Sequence, residues 1–296
     1  MSMHSPPLAD LIFDARPASL STGMTVQRVL PYAKQRMVGP FVFLDHAGPT
    51  ELAREAAGAA DVLPHPHIGL STLSYLLSGE VTHRDSLGVH QLIRAGDVNW
   101  MTAGKGIAHS ERFDTPGAFG PPGLELLQSW VALPDELEEC DPSFDTYGVD
   151  ALPVSDEAGV RMRLVAGEAW GARSTVRVHS PLFYVHVELQ PGAHTALPDN
   201  HDERAIYVVR GEIEVGGERF HRGQMLVFKG RREVRLRATE HAIVMLLGGE
   251  PVGHRYIWWN FVSSSRERIE QAKADWTAGR IILPPNDDKE FVPLPA

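Results

Sequence analysis

Three histidines and one glutamate offer the clearest chemistry in this chain. His65 and His67 lie in "HPHIG", and His109 and Glu111 lie in "HSE". Each pair is spaced by two residues. On an extended strand such neighbours point to the same face, so each pair projects together. Strands far apart in sequence face each other across a small barrel, and two such pairs would set three imidazoles and one carboxylate around one point. Pro66 between the histidines forbids helix and favours an extended backbone. Gly69, Gly104 and Gly106 allow tight chain paths close by. Each pair has a plainer reading, as a loop pair in a chain with 14 histidines or as an exposed strand end. Their joint occurrence in one unit favours metal. Imidazole and carboxylate without thiolate suit Fe(II), Mn, Ni, Cu, Co or Zn. A six-coordinate ion held by these four groups keeps about two open positions, the geometry of a catalytic site.

The elements that must position these residues read as short strands. The 27 Gly and 22 Pro punctuate many brief apolar runs, as in all-β folds. Residues 72–101 read as four strands joined by Gly turns, and 204–238 repeat that rhythm. Alignment of the turns exposes a duplication: "SYLLSGEV" (74–81) matches "IYVVRGEI" (206–213), and "RAGDVNWM" (94–101) matches "HRGQMLVF" (221–228). The offsets place Leu197 and Asp199 opposite His65 and His67, and Leu236 and Ala238 opposite His109 and Glu111. The second half is therefore expected to be metal-free. His194, His201 and Glu203 fall outside the matching positions. Helices are expected over 49–60, which is Ala-rich, and 263–279, with Ser caps and a Gly stop. The acidic, Pro-rich stretch 132–160 reads as the connection between halves, and "LPPNDDKEFVPLPA" as an extended end.

The formal net charge of −10, from 28 Lys and Arg against 38 Asp and Glu, disfavours nucleic acid as a partner. The single cysteine, Cys140, excludes an intrachain disulfide, and its acidic neighbours suppress the thiolate. No basic start precedes an apolar run and no stretch approaches a membrane span, so a soluble cytoplasmic monomer is expected, without membrane contact. Asp45 and His46 could line a pocket mouth or cap a turn. His83 and Asp85 are expected near a hairpin, facing solvent. "KGRREVRLR" (229–237) reads as a solvated strand face, and "IWWNF" (257–261) as the aromatic seat of the final helix.

"HPHIGLSTLSYLLSGEVTHRDSLG", "GDVNWMTAGKGIAHSE" and "GPFVFLDHAGP" together resemble the pirin family of the cupin superfamily. The resemblance spans essentially the whole chain. It implies an all-β bicupin: two tandem cupin barrels with a C-terminal helix, residues 1–140 holding the metal and 141–296 forming a degenerate barrel plus helix. Carried onto matching positions, the family's ligands are His65, His67, His109 and Glu111. Fe(II) is the expected ion. Many cupins carry a Glu soon after the paired histidines. Here Leu70, Ser71 and Thr72 stand there, leaving Glu111 as the carboxylate. Some pirins have Arg after His-Pro-His, where this chain has Ile68. The resemblance further implies a quercetin 2,3-dioxygenase-like activity on a flavonol and O2. Glu111 would be the candidate base, although a firmly bound carboxylate is a poor one. The alternative is a metal-containing regulatory protein that binds a protein partner without turnover. A cupin isomerase or hydrolase using bound water is a third reading.

Overall fold

A computed structural model of the chain describes residues 9–21, 24–51, 57–115 and 123–295. The chain forms two compact units, each assembled from separated segments. One comprises residues 17–31, 42–149 and 252–296; the other comprises 1–16, 32–41 and 150–251. The division at 140/141 expected from sequence differs from these in three places. The changeover falls at 149/150, the N-terminal strand belongs with the second barrel, and the C-terminal helix belongs with the first.

In the first unit a seven-stranded antiparallel sheet runs in the order Ser143–Tyr147, Val98–Thr102, Leu70–Ser78, Leu124–Ala132, Phe41–Thr50, Met24–Leu30, Arg16–Ser21. A four-stranded sheet runs Val62–His67, Ile107–Arg112, Glu80–Asp85, His90–Arg94. In the second unit, the small sheet repeats this order with His194–Ala196, Arg235–Ala238, Glu212–Val215 and Glu218–His221. The duplication seen in sequence is therefore a duplication of strand order. Gly79 and Gly211, at matching turns, both have φ above +70° (82° and 71°), which a side chain rarely tolerates.

The second barrel is filled by apolar side chains. Leu197, Leu236 and Ala238, three of the four positions matching the candidate ligands, lie in its hydrophobic core. Among the described residues, the one cluster able to hold a metal lies in the other unit.

Two helical expectations resolve differently. Arg266–Thr277 is an α-helix capped by Ser265, whose side chain accepts from the Arg268 N–H. Its buried Ile269, Ala272 and Trp276 pack with Ile68, Ala108 and Phe261 of the first unit. The hairpin of Tyr256–Trp258 and Phe261–Ser263 lies beside it, and Lys273 sits 4.1 Å over the Trp258 ring. The helix expected over 49–60 is corrected. The strand Phe41–Thr50 continues through Pro49 and Thr50, and helix covers Ala57–Ala60. Residues 52–56 lie outside the described residues. The stretch 132–160 is also more than a connection. It supplies Ser143–Tyr147, which pairs with Val98–Thr102 at a sheet edge, and Val154–Glu157, which pairs with Val160–Ala169. Edge strands with one partner need no clean alternation, which is why the period was weak.

Four arginines of 229–237 are ion-paired at the surface: Arg231 with Asp202, Arg232 with Asp10, Arg235 with Glu233 and Arg237 with Glu214. Among the described residues no helix is long and apolar enough to cross a membrane.

Gly69 sits where three segments meet. Its N–H donates to the Gly104 carbonyl and its carbonyl accepts from Leu133. Its φ is +66°, and a Cβ would stand 2.0 Å from the Val262 carbonyl oxygen. Gly69→Ala is predicted to destabilise the protein by about 2 kcal/mol or more, from left-handed strain plus the clash. Urea unfolding should show a lower midpoint with unchanged slope. An unchanged midpoint would mean that the crossing yields without cost.

Candidate metal centre

The strands Val62–His67 and Ile107–Arg112 pair antiparallel, with His65 directly opposite His109 and His67 opposite Ile107. The pairing slips between His109 and Glu111, so that Glu111 faces Val62. Ligand atoms of His65, His67 and His109 all lie within 4.8 Å of one another. Glu111 lines the same cavity but stands outside that cluster. Three of the four expected residues are thus gathered at one point, and the fourth lies on the adjoining wall.

Backbone carbonyls set the imidazoles. His65 donates from Nδ1 to the Leu63 carbonyl at 2.9 Å, and His67 donates from Nδ1 to the Asn260 carbonyl at 3.1 Å. With Nδ1 protonated, each Nε2 is left with its lone pair. His67 Nε2 and His109 Nε2 are 3.1 Å apart, and the buried His109 Nδ1 has no partner. Nitrogens this close need a proton or a cation to hold them together. Burial pushes the His65 imidazole down to about 4, and pushes His67 and His109 well below the usual histidine range; neighbouring imidazoles add to all three shifts. All three are therefore neutral at pH 7, the form that ligates a metal. Burial also pushes the Glu111 carboxyl up to about 7. This donor set fits a divalent transition ion. A bound cation would pull the Glu111 carboxyl back down.

The cavity has a volume of about 280 Å³. Phe43, Trp130 and Trp259 supply its aromatic wall, and Arg28, Gln128 and Asn260 its polar points. Phe43 and Trp130 stack with ring centroids 4.0 Å apart, and Trp130 meets His67 edge-on at 5.1 Å. A larger cavity of about 720 Å³ in the second unit holds no metal cluster among the described residues. Its Ser174, Asn200 and His201 are already bonded to Val165, Glu168 and Glu250.

One expectation is corrected here, and one open reading is resolved. His83 and Asp85 do not face solvent; they are 3% and 0% exposed. Their strand lies between Ile107–Arg112 and His90–Arg94, with His83 opposite Glu111 and Asp85 opposite His109. His83 stacks on Phe144 at 4.5 Å, and its ring lies 5.1 Å from that of His109. Its Nε2 donates to Asp85 Oδ2 at 3.0 Å, while Asp85 Oδ1 accepts from the Leu87 and Val89 N–H groups. Their two-residue spacing places both on one strand face but does not tell that this face is covered. Asp45 and His46 do not line the cavity. Asp45 grips Arg28 with both oxygens, and buried His46 meets buried Glu125 at 3.0 Å.

Cys140 behaves as expected. Its pKa is raised by burial and by Asp141, which disfavours the thiolate. His201 Nδ1 meets Glu250 at 2.9 Å, and Glu203 accepts from the Gly39 N–H.

The raised Glu111 value makes the metal-free protein pH-sensitive. A folded-state pKa near 7 against about 4.5 unfolded means stability is full below pH 4.5 and is lost as pH rises through 7. His65 works oppositely, with stability full above pH 6.5 and lost as pH falls through about 4. Glu111→Gln cannot ionise, so the metal-free variant should exceed metal-free wild type by about 1–3 kcal/mol at pH 8 and match it near pH 5. Chelator-treated samples compared by urea unfolding at both pH values check this. Equal stability at pH 8 would place Glu111 in a wetter setting.

A model of the pirin family matches residues 23–131, and one of the pirin C-terminal cupin domain matches 184–282. A pirin-like protein of Caulobacter vibrioides is 55% identical over 289 residues, covering 97% of this chain and 100% of that protein. A crystal structure of quercetin 2,3-dioxygenase from Acinetobacter baumannii matches with a TM-score of 0.88 at 34% identity, covering 97% of this chain and 95% of that one. A second structure of quercetin 2,3-dioxygenase from that organism matches with a TM-score of 0.84 at 27% identity, over 93% and 98% of the two chains. Two cupin barrels in tandem, an imidazole cluster confined to the first, and these likenesses lead to one assignment: the chain belongs to the pirin family.

Proposed function

We propose that this protein is a metal-dependent dioxygenase of the pirin type, which opens flavonols such as quercetin with O2. The observation that carries the reading is the set of three neutral imidazoles converging within 4.8 Å beside an aromatic-walled cavity. The likeness to the Acinetobacter baumannii quercetin 2,3-dioxygenases supports it. His65, His67 and His109 would hold one divalent transition ion, with Glu111 as the carboxylate. Fe(II) is the proposed ion, and Mn, Ni, Cu, Co or Zn suit the same donors. Once bound, the ion supplies Lewis-acid charge that stabilises a substrate oxyanion.

The chain's own residues supply the rest. Phe43, Trp130 and Trp259 offer apolar surface to a planar ring system and exclude water from it. The cavity, about 280 Å³, sits at the small end of ligand pockets, which suits a rigid aromatic rather than a flexible chain. Glu111 lines the same wall, where its carboxylate would accept the proton of the flavonol 3-hydroxyl. Overall, O2 is consumed, the oxygen ring opens and carbon monoxide leaves.

Protein loaded with Fe(II) is expected to bleach the quercetin absorbance band, with O2 uptake and carbon monoxide release in equal amounts. His109→Ala should lose most of its metal by elemental analysis and at least about 100-fold in turnover. Fully metallated protein that consumes no flavonol, while oxidation of its metal changes capture of a protein partner, would overturn the enzymatic reading.

A further inference from the structure

The wall of the cavity carries two hydrogen-bond donors that the proposed chemistry leaves unused. Arg28 lies on Met24–Leu30 directly opposite Asp45 of Phe41–Thr50, so both side chains leave the same face of the sheet. Its Nε donates to Asp45 Oδ1 at 2.9 Å and its Nη2 to Asp45 Oδ2 at 2.8 Å. Its Cζ lies 4.7 Å over the Phe43 ring. The fork and the ring together fix the guanidinium in place. Asp45 is 2% exposed, whereas the Arg28 side chain is 27% exposed and lines the cavity. Nη1 therefore keeps both N–H groups free of any partner among the described residues. Gln128 is arranged likewise. Its Oε1 accepts from Ser74 Oγ at 2.7 Å, which fixes the amide and leaves its NH2 unpartnered among the described residues.

These donors are spaced from the metal cluster by stacked rings. Arg28 rests on Phe43, Phe43 stacks on Trp130, and Trp130 meets His67 edge-on. A rigid planar ligand with one oxygen at the imidazoles would bring its far ring toward Arg28 and Gln128. Because Asp45 offsets the charge of Arg28, the subsite suits a neutral or singly charged acceptor oxygen. A multiply charged phosphate would be less well matched.

We infer that Arg28, positioned by Asp45 and joined by Gln128, is a specificity-determining residue that receives an oxygen substituent on the substrate's distal ring. The preferred substrate class is then a planar aromatic oxygenated at both ends. This assignment rests on the flavonol reading for its choice of probe but not for its geometry. A site built around donors rejects an analogue lacking the acceptor, because the donors then lose water without replacement.

The test compares quercetin with 3-hydroxyflavone, which lacks the distal hydroxyls, on the metal-loaded protein. Wild type should bind quercetin at least about 10-fold more tightly by calorimetry, with a matching ratio in kcat/KM. Arg28→Met alone would remove the two-pronged cationic partner of a buried carboxylate, so Arg28→Met is combined with Asp45→Asn. The double variant should hold its metal and shrink the ratio below about 3-fold. Arg28→Lys, which cannot make the two-pronged contact, should also lose most of the preference. A wild type without preference, or a double variant that keeps it, overturns the assignment. Should wild type neither bind nor consume either flavonol, the flavonol reading fails. The subsite is then judged by 2-naphthoate against 2-methylnaphthalene, which lacks the acceptor: a preference lost in the double variant upholds Arg28, and no preference refutes it.

Discussion

Four titratable groups share the interior of one barrel, and burial dominates every one of them. Taking an imidazolium out of water costs more than the proton is worth, so His65, His67 and His109 stay neutral. The same cost, applied to a carboxylate, pushes Glu111 up to about 7. Lone pairs then converge with no protons to separate them. Such an arrangement is poorly suited to a metal-free protein and well suited to one holding a cation. The rest of the first unit can be read as the means of keeping these groups together and dry.

Much of that support comes from the far end of the chain. The Asn260 carbonyl fixes the tautomer of His67 from a hairpin 193 residues away. That hairpin is held by Arg255, which is 1% exposed, donates to the Leu133 carbonyl and stands 2.9 Å from Glu138. Glu138 in turn accepts from Ser263 and Ser264. The final segment docks as well, with Val292 donating to the Pro64 carbonyl next to His65. Asp287 grips Arg112 and accepts from Ser110, the residues flanking Glu111. The C-terminal residues are thus a structural part of the first barrel. This is why a simple cut of the sequence into halves misplaces them.

The second barrel shows the same strand order with another interior. Leu197, Leu236 and Ala238 bring apolar surface where the first barrel brings ligands, and they join its hydrophobic core. Arg204, fully buried in the same unit, donates to the carbonyls of Pro198, Gly230 and Arg232, which offsets the cost of its burial.

The all-β class, the duplication, the capped final helix and the pairing of His65, His67 and His109 were legible in the sequence. They depend on local rules: alternation along a strand, glycine at positive-φ turns, serine at a helix start. The burial of His83 and Asp85 was not, because a two-residue spacing cannot tell which face of a strand is covered. That was decided by Ser143–Tyr147 laying Phe144 over His83. Nor could spacing show that Asp45 turns to Arg28, since those strands pair across 17 residues with a register shift beside them. The departure of Glu111 from the imidazole cluster has a similar origin in the slipped pairing after His109. The sequence by itself determined which residue types alternate and where the chain turns. Only the tertiary structure decided which faces meet and which groups lose water, because desolvation belongs to the packed barrel and to no single strand.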